Sequence, residues 1–250
     1  MRKYIAASTL ALALTLSACG DSEDATSASL NGEEIENIAA PEGQQWSEVV
    51  TATEAGGYVK GNPEAPIKII EYGSLTCGHC ATFDQTAYPA LEEEYIDSGR
   101  VSLEFRNFTL NAVDIPAAVL TRCSGPESYF ALTHQFYLKQ NEILNQLQAS
   151  QQQNQAALGQ LDSLPKEQQQ VAAAKLLGLT DYFKTLGISE DQANSCLADS
   201  AVVDELMSMN KVATEEMDVT GTPTFFINGE KMDFNTWAPM ETKLKEMGAR

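Results

Sequence analysis

Two cysteines separated by two residues, Cys77-Gly78-His79-Cys80, stand between a strand-like run and a helix-like one. Before them, Ile67-Lys68-Ile69-Ile70-Glu71-Tyr72 is rich in β-branched residues and follows the Pro-rich loop Asn62-Pro63-Glu64-Ala65-Pro66. It reads as a buried strand. After them, Phe83, Ala87, Leu91 and Tyr95 recur every four residues and share one face of a helix, which Pro89 should kink. Val101 to Phe108 then alternates as a second strand. Strand, helix, strand is a βαβ unit, so the two strands should pair in parallel with the cysteines at the first turn of the crossover.

A pair of this spacing has three common uses. Structural zinc usually takes a second pair of ligands, but Cys123 and Cys196 are single and far apart. Covalent haem attachment needs a histidine directly after the second cysteine, and residue 81 is alanine. The third use is a redox dithiol at a helix N-terminus. There, unpaired backbone N–H groups and the positive end of the helix dipole favour thiolate over thiol. The thiolate is the attacking species in disulfide exchange. Cys77 is therefore expected to be the exposed, low-pKa nucleophile, with His79 adding positive charge when protonated. Cys80, one turn into the helix, is expected to be the buried resolving thiol. His134, in the helical middle of the chain, reads as a surface or core residue rather than a ligand.

The chain has 250 residues, 43% of them hydrophobic, enough for a packed core. Its formal charge of −19 repels phosphate and argues against a nucleic-acid partner. From Val113 to Thr214 the pattern is helical. Twelve glutamines between Gln135 and Gln170 are interleaved by Leu144, Leu147, Leu158, Leu161 and Leu164, and read as a solvated helix face. Strand character returns at Thr220-Gly221-Thr222-Pro223-Thr224-Phe225-Phe226-Ile227, followed by an Asn228-Gly229 hairpin turn. Thr236 to Met247 closes the chain as a helix.

The first residues carry Arg2 and Lys3, then an apolar stretch from Tyr4 to Leu16, too short to span a bilayer comfortably. They read as a signal peptide over 1–18. Leu16-Ser17-Ala18-Cys19 resembles the lipobox of bacterial lipoproteins, which implies cleavage before Cys19 and a lipid on it. Removing Arg2 and Lys3 takes the net charge from −19 to −21. Export places the mature protein where disulfides persist. With Cys19 lipidated, four cysteines remain, the even number that two disulfides require. Residues 19–45 are acidic, small and without a hydrophobic period. They read as a flexible tether, with order beginning near Trp46.

The order of these features resembles the thioredoxin superfamily, and more closely its DsbA-like branch of exported thiol:disulfide oxidoreductases. The resemblance rests on Glu71-Tyr72-Gly73-Ser74-Leu75-Thr76-Cys77-Gly78-His79-Cys80 and on Gly221-Thr222-Pro223-Thr224-Phe225, and it covers residues 46–250. It implies an α/β thioredoxin fold, residues 46–112 and 215–250, carrying a helical insertion over 113–214. It implies a cis Pro223 beside the redox pair, with Thr222 offering its backbone to an extended substrate strand. It also implies that Glu71 is a partly buried acid that moves protons to and from Cys80. Cys123 and Cys196, both in the insertion, are expected to form a second disulfide, the alternative being two buried free thiols.

No cofactor and no metal are implied. The implied partners are reduced or misoxidised exported proteins and a membrane redox partner, and the implied state is a monomer. The function implied is disulfide donation to exported proteins. Gly-His between the cysteines, where DsbA has Pro-His, and Thr222 before the proline leave isomerase and reductase open. A non-catalytic chaperone-like binding module is the alternative of a different class.

Overall fold

The computed structural model describes residues 32–250, so the signal peptide, Cys19 and the tether up to residue 31 lie outside the described residues. Strands β1 (Val50–Ala52) and β2 (Tyr58–Gly61) form an antiparallel pair at one edge of a six-stranded sheet. The two strand-like runs of the βαβ unit become β3 (Ile67–Gly73) and β4 (Val101–Asn107), paired in parallel at its centre. Strands β5 (Thr224–Ile227) and β6 (Glu230–Lys231) complete the order β1-β2-β4-β3-β5-β6. The sequence reading has no counterpart of β1 and β2. They are three and four residues long, and β1 is largely solvated, so neither carries a clear apolar alternation.

The crossover between β3 and β4 holds helix α1 (Gly78–Thr86), the short α2 (Tyr88–Ala90) and a π-helical turn, Leu91–Ile96. The kink expected at Pro89 is a break just before it, at Ala87. Pro89 then falls in the first turn of the following segment, where its missing N–H leaves no bond unmade. Eight α-helices and a 3-10 turn, Leu161–Ser163, lie between β4 and β5. The helices are α3 (Asp114–Arg122), α4 (Pro126–Leu138), α5 (Gln140–Gln153), α6 (Gln155–Leu158), α7 (Lys166–Leu177), α8 (Leu179–Thr185), α9 (Glu190–Leu197) and α10 (Ser200–Glu215). Helix α11 (Trp237–Glu246) follows the β5–β6 hairpin, buries Met240 and Leu244 and closes the fold. Asn228 and Gly229 both have positive φ (49° and 84°), as the two central residues of a tight hairpin turn require.

One apolar cluster runs from the sheet through α1 into the helical insertion. Ile69, Leu103, Phe225, Phe83, Phe136, Phe183 and Leu206 all belong to it. A smaller cluster of Tyr72, Phe108, Ala213, Val219 and Phe226 is centred on α10 and β5. The insertion therefore shares its core with the sheet, and the two bury apolar surface together.

Residues 32–40, expected as part of the tether, lie against the folded body. Backbone N–H groups of Gly32, Ile35 and Ile38 donate to the carbonyls of Glu246, Gly248 and Ser98, each at 2.9 Å. The Trp46 indole N–H donates to the Ile38 carbonyl at 2.7 Å. Gly99 and Gly248 admit this segment, since a Cβ on either would run into the backbone of Ile38 or Glu33. Ile35 also packs on the main core. Composition reads this stretch as polar, whereas its few apolar side chains and its backbone find partners that are distant in sequence.

Candidate active site

The backbone between β3 and α1 is fixed before the cysteines are reached. The buried carboxylate of Asp114 accepts from the Ser74 hydroxyl (2.9 Å), the Thr76 N–H and hydroxyl (3.0 Å each) and the Leu110 N–H (2.8 Å). The Tyr137 hydroxyl donates to the Ser74 carbonyl at 3.0 Å. The Gln140 side-chain amide donates to the carbonyls of Leu75 (2.8 Å) and Cys77 (2.9 Å). These groups come from α3, α4 and α5, so the insertion holds the loop that presents the cysteines. Gln140 belongs to the glutamine run read as a solvated face. It is buried, and its amide is committed to the site.

Cys77 is the N-cap of α1, and its Sγ accepts from the Cys80 N–H at 3.4 Å. Cys80, in the first turn, is 0% exposed. The pair is unbridged in this structure. The Cys77 thiol is lowered from 9.0 to about 5. The Cys80 thiol beside it contributes most, Thr222 and the N–H groups of Cys80 and His79 add to it, and partial burial opposes them. Cys80 is pushed well above its ordinary value, first by burial and then by Cys77 and Glu71. The two thiols are thus separated by environment, one lowered and the other raised. One expectation is corrected: Cys77 is only 8% exposed, because Thr222 and the loop cover it.

His79 is exposed, and its contribution to the Cys77 sulfur comes through its backbone N–H. The Thr222–Pro223 bond is cis. The Cys77 thiol donates to the Thr222 carbonyl at 3.2 Å, while the buried Thr222 hydroxyl has no hydrogen-bond partner among the described residues. Glu71 lies on β3, opposite Phe105 of β4 and Phe225 of β5, in the middle of the sheet. It is 4% exposed. Burial raises its carboxyl well above the ordinary range, and the charges of Asp84 and Cys77 add to the rise.

Cys123 caps the C-terminus of α3 and is disulfide-bonded to Cys196 of α9, with Cα atoms 5.7 Å apart. His134, on α4, faces the carboxylate of Asp84 on α1, with Nδ1 and Oδ1 at 2.6 Å. Asp84, Asp114, Tyr137 and Gln140 are missing from the sequence reading. Little in their local pattern marks them, since each has a partner at least 38 positions away.

The arrangement places a stabilised thiolate next to a buried thiol and a buried acid, beside a strand end. Known proteins are similar to this chain in sequence and in fold. A Rickettsia bellii protein with a provisional protein-disulfide oxidoreductase name is 29% identical over 171 residues, 68% of this chain and 56% of its own length. The chain spans little more than half the length of the Rickettsia relatives that it matches. A Bacillus cereus protein with a provisional name of disulfide bond formation protein D is 28% identical, covering 68% of each chain. The crystal structure of a protein-disulfide isomerase from Novosphingobium aromaticivorans superposes with a TM-score of 0.66 at 24% identity, over 75% of this chain and 94% of that one. The sequence profile of the thioredoxin family matches residues 53–246, and the chain belongs to that family, with a thioredoxin fold that carries a helical insertion.

Proposed function

We propose that the protein is an exported thiol:disulfide oxidoreductase, tethered to a membrane through a lipid on Cys19, that donates the Cys77–Cys80 disulfide to exported proteins with free thiols. The observation that carries this reading is the unequal pair: a thiol lowered to about 5 at the helix N-cap and a fully buried thiol one turn later. A stabilised Cys77 thiolate favours the reduced form and so makes the disulfide more oxidising. The provisional name of the Bacillus cereus relative points in the same direction.

In the proposed reaction a substrate thiolate attacks Cys77 Sγ. The Cys77–Cys80 bond breaks and Cys80 leaves with the electron pair, taking a proton through Glu71. A second substrate thiolate then attacks the substrate sulfur of the mixed disulfide and releases Cys77 as thiolate. Two electrons pass from substrate to protein, and a membrane redox partner removes them. Thr222 and Pro223 receive the substrate strand, His79 tunes Cys77, and the Cys123–Cys196 bridge braces the insertion. Residues 46–112 and 215–250 form the thioredoxin-like part and 113–214 the insertion. The protein works as a monomer.

Thr222 and the Gly-His dipeptide favour a second reading, an isomerase or reductase on the same site. Equilibration of Cys77–Cys80 with glutathione separates them. A potential of about −120 to −180 mV supports disulfide donation, and one near about −270 mV favours a reductase. Absence of any redox transition at this pair would leave a binding module in place of an enzyme.

A further inference from the structure

Cys80 is sealed from solvent, so a proton that reaches it has to cross the protein. Glu71 does not complete the passage, because it is itself buried in the middle of the sheet. A second acid continues outward. Asp84 follows Cys80 by four residues on α1 and therefore lies one turn along the same face. It too is buried, but its Oδ1 meets Nδ1 of His134 at 2.6 Å, and the His134 side chain is 36% exposed. His134 borders an open cavity of about 310 Å³, whose lining includes Lys60, Tyr88, Glu92, Glu127 and Phe130.

Other titratable groups surround Asp84. An ionised Asp84 raises the proton affinity of Glu71, so the two acids sense each other. The Tyr88 hydroxyl is buried without a hydrogen-bond partner among the described residues and lies in the field of Glu71, Asp84 and Glu92. Lys60, from β2, faces Asp84 and pairs with Glu92 of the π-helical turn. Tyr137, from α4, also feels Asp84 and Glu71. The Asp84 carboxyl is raised by burial, while His134 and Lys60 pull it down and Glu92 pushes it up.

We infer that Asp84 and His134 are the outer half of a proton relay that joins the cavity to Glu71 and, through it, to Cys80. This rests on the redox reading of the site. When the Cys77–Cys80 bond breaks, the Cys80 thiolate takes the Glu71 proton. Glu71 is reprotonated from Asp84, Asp84 from His134, and His134 from solvent in the cavity. One proton enters for each mixed disulfide formed, and the direction reverses when the disulfide is rebuilt. Asp84 and His134 touch neither substrate nor sulfur in this scheme, and act through Glu71.

The full chain, oxidised and mixed with a fluorescent dithiol peptide in a stopped-flow instrument, tests the relay. The rate of disulfide transfer is followed from pH 5 to 9 in light and heavy water. His134→Gln keeps an amide that can donate to Asp84 but cannot pass a proton. Its rate should fall about tenfold, less than the ~10²-fold or more typical of direct acid–base groups because His134 acts at a distance. Its solvent isotope effect should rise and its pH dependence flatten. His134→Ala should show the same loss, and added imidazole, admitted by the enlarged cavity, should restore the rate. If both variants keep the wild-type rate, pH profile and isotope effect, the Asp84–His134 bond only fastens α4 to α1 and the relay is overturned. Slow variants without imidazole rescue or a changed isotope effect also overturn it, as packing defects. If the wild type itself exchanges no disulfide with the peptide, the redox reading fails instead.

Discussion

The Sγ of Cys77 lies 3.2 Å from the carbonyl oxygen of Thr222, although 145 residues separate them in the chain. The contact joins the start of α1 to the residue before the cis proline, so the two motifs of the site meet at one sulfur. The unpartnered Thr222 hydroxyl is the donor best placed to stabilise the thiolate once the thiol proton leaves. Thr222→Val removes that hydroxyl and keeps the backbone. The Cys77 pKa should rise by about one unit, since a hydrogen bond to a charged group is worth about 1.5–3 kcal/mol and part of it is replaced by solvent. Thiolate absorbance against pH measures the shift, and the disulfide should become less oxidising in parallel.

Alkylation of Cys77 should follow its thiolate. With the thiol lowered from 9.0 to about 5, the rate with iodoacetamide should be flat at neutral pH and fall as pH drops through about 5. The same shift acts on stability. A depressed folded pKa stabilises the reduced protein fully above 9.0, and that contribution is lost as pH falls through about 5. The oxidised protein has no thiol to titrate here. The stability of the reduced form relative to the oxidised form should therefore shrink between pH 7 and pH 4, which paired denaturation curves would record.

Burial of Glu71 costs stability once its carboxyl ionises. Its folded pKa is raised, so ionisation is opposed in the native state and stability falls as pH climbs above the ordinary value of 4.5. Each unit of the rise costs about 1.4 kcal/mol. Glu71→Gln should be more stable than wild type above this range, with an advantage that vanishes on acidification, and should resolve mixed disulfides more slowly. Thermal melts at pH 4 and pH 8, with single-turnover exchange, check both halves.

The Gln140 amide satisfies two buried carbonyls at the cysteine loop. Gln140→Ala strips the amide from the Leu75 carbonyl, while the Cys77 carbonyl keeps the Ala81 N–H, and should cost about 1–3 kcal/mol for the one buried group left without it. The Cys77 pKa should rise as the helix N-cap loosens. A melting curve combined with a thiol titration separates this from a surface glutamine, for which neither would move.

The Cys123–Cys196 bridge closes a separation of 73 residues, joining the end of α3 to α9. Replacing both by alanine should cost up to about 4 kcal/mol in the chain-entropy picture. The potential of Cys77–Cys80 should stay unchanged at temperatures where the variant is folded. A changed potential would show that the bridge tunes the site as well as bracing the fold.

Much of the fold is legible in the chain because its signals are local. The runs at 67–72 and 101–108 carry strand periodicity, and Asn228-Gly229 carries its turn chemistry within two residues. Less legible are β1 and β2, which are short and half-solvated, and residues 32–40, whose polar composition hides a docked backbone. Gln140 shows the limit most plainly. In sequence it is one of twelve glutamines, and in the structure it is buried against the carbonyl of Cys77.

The chain alone shows the Cys77–Cys80 pair and its place at a helix N-terminus after a strand. Spacing and helix geometry decide that much, because a one-turn offset places one sulfur at the cap and the other a turn inside. Only the tertiary structure decided what surrounds the two sulfurs. Thr222, Asp114, Gln140 and the Asp84–His134 pair come together from strands and helices distant in the chain, through packing of a core shared by sheet and insertion. A single polar residue carries no mark of the partner it will meet. Its burial, and with it the strength of every charge and hydrogen bond at the site, is fixed only when the chain has closed around it.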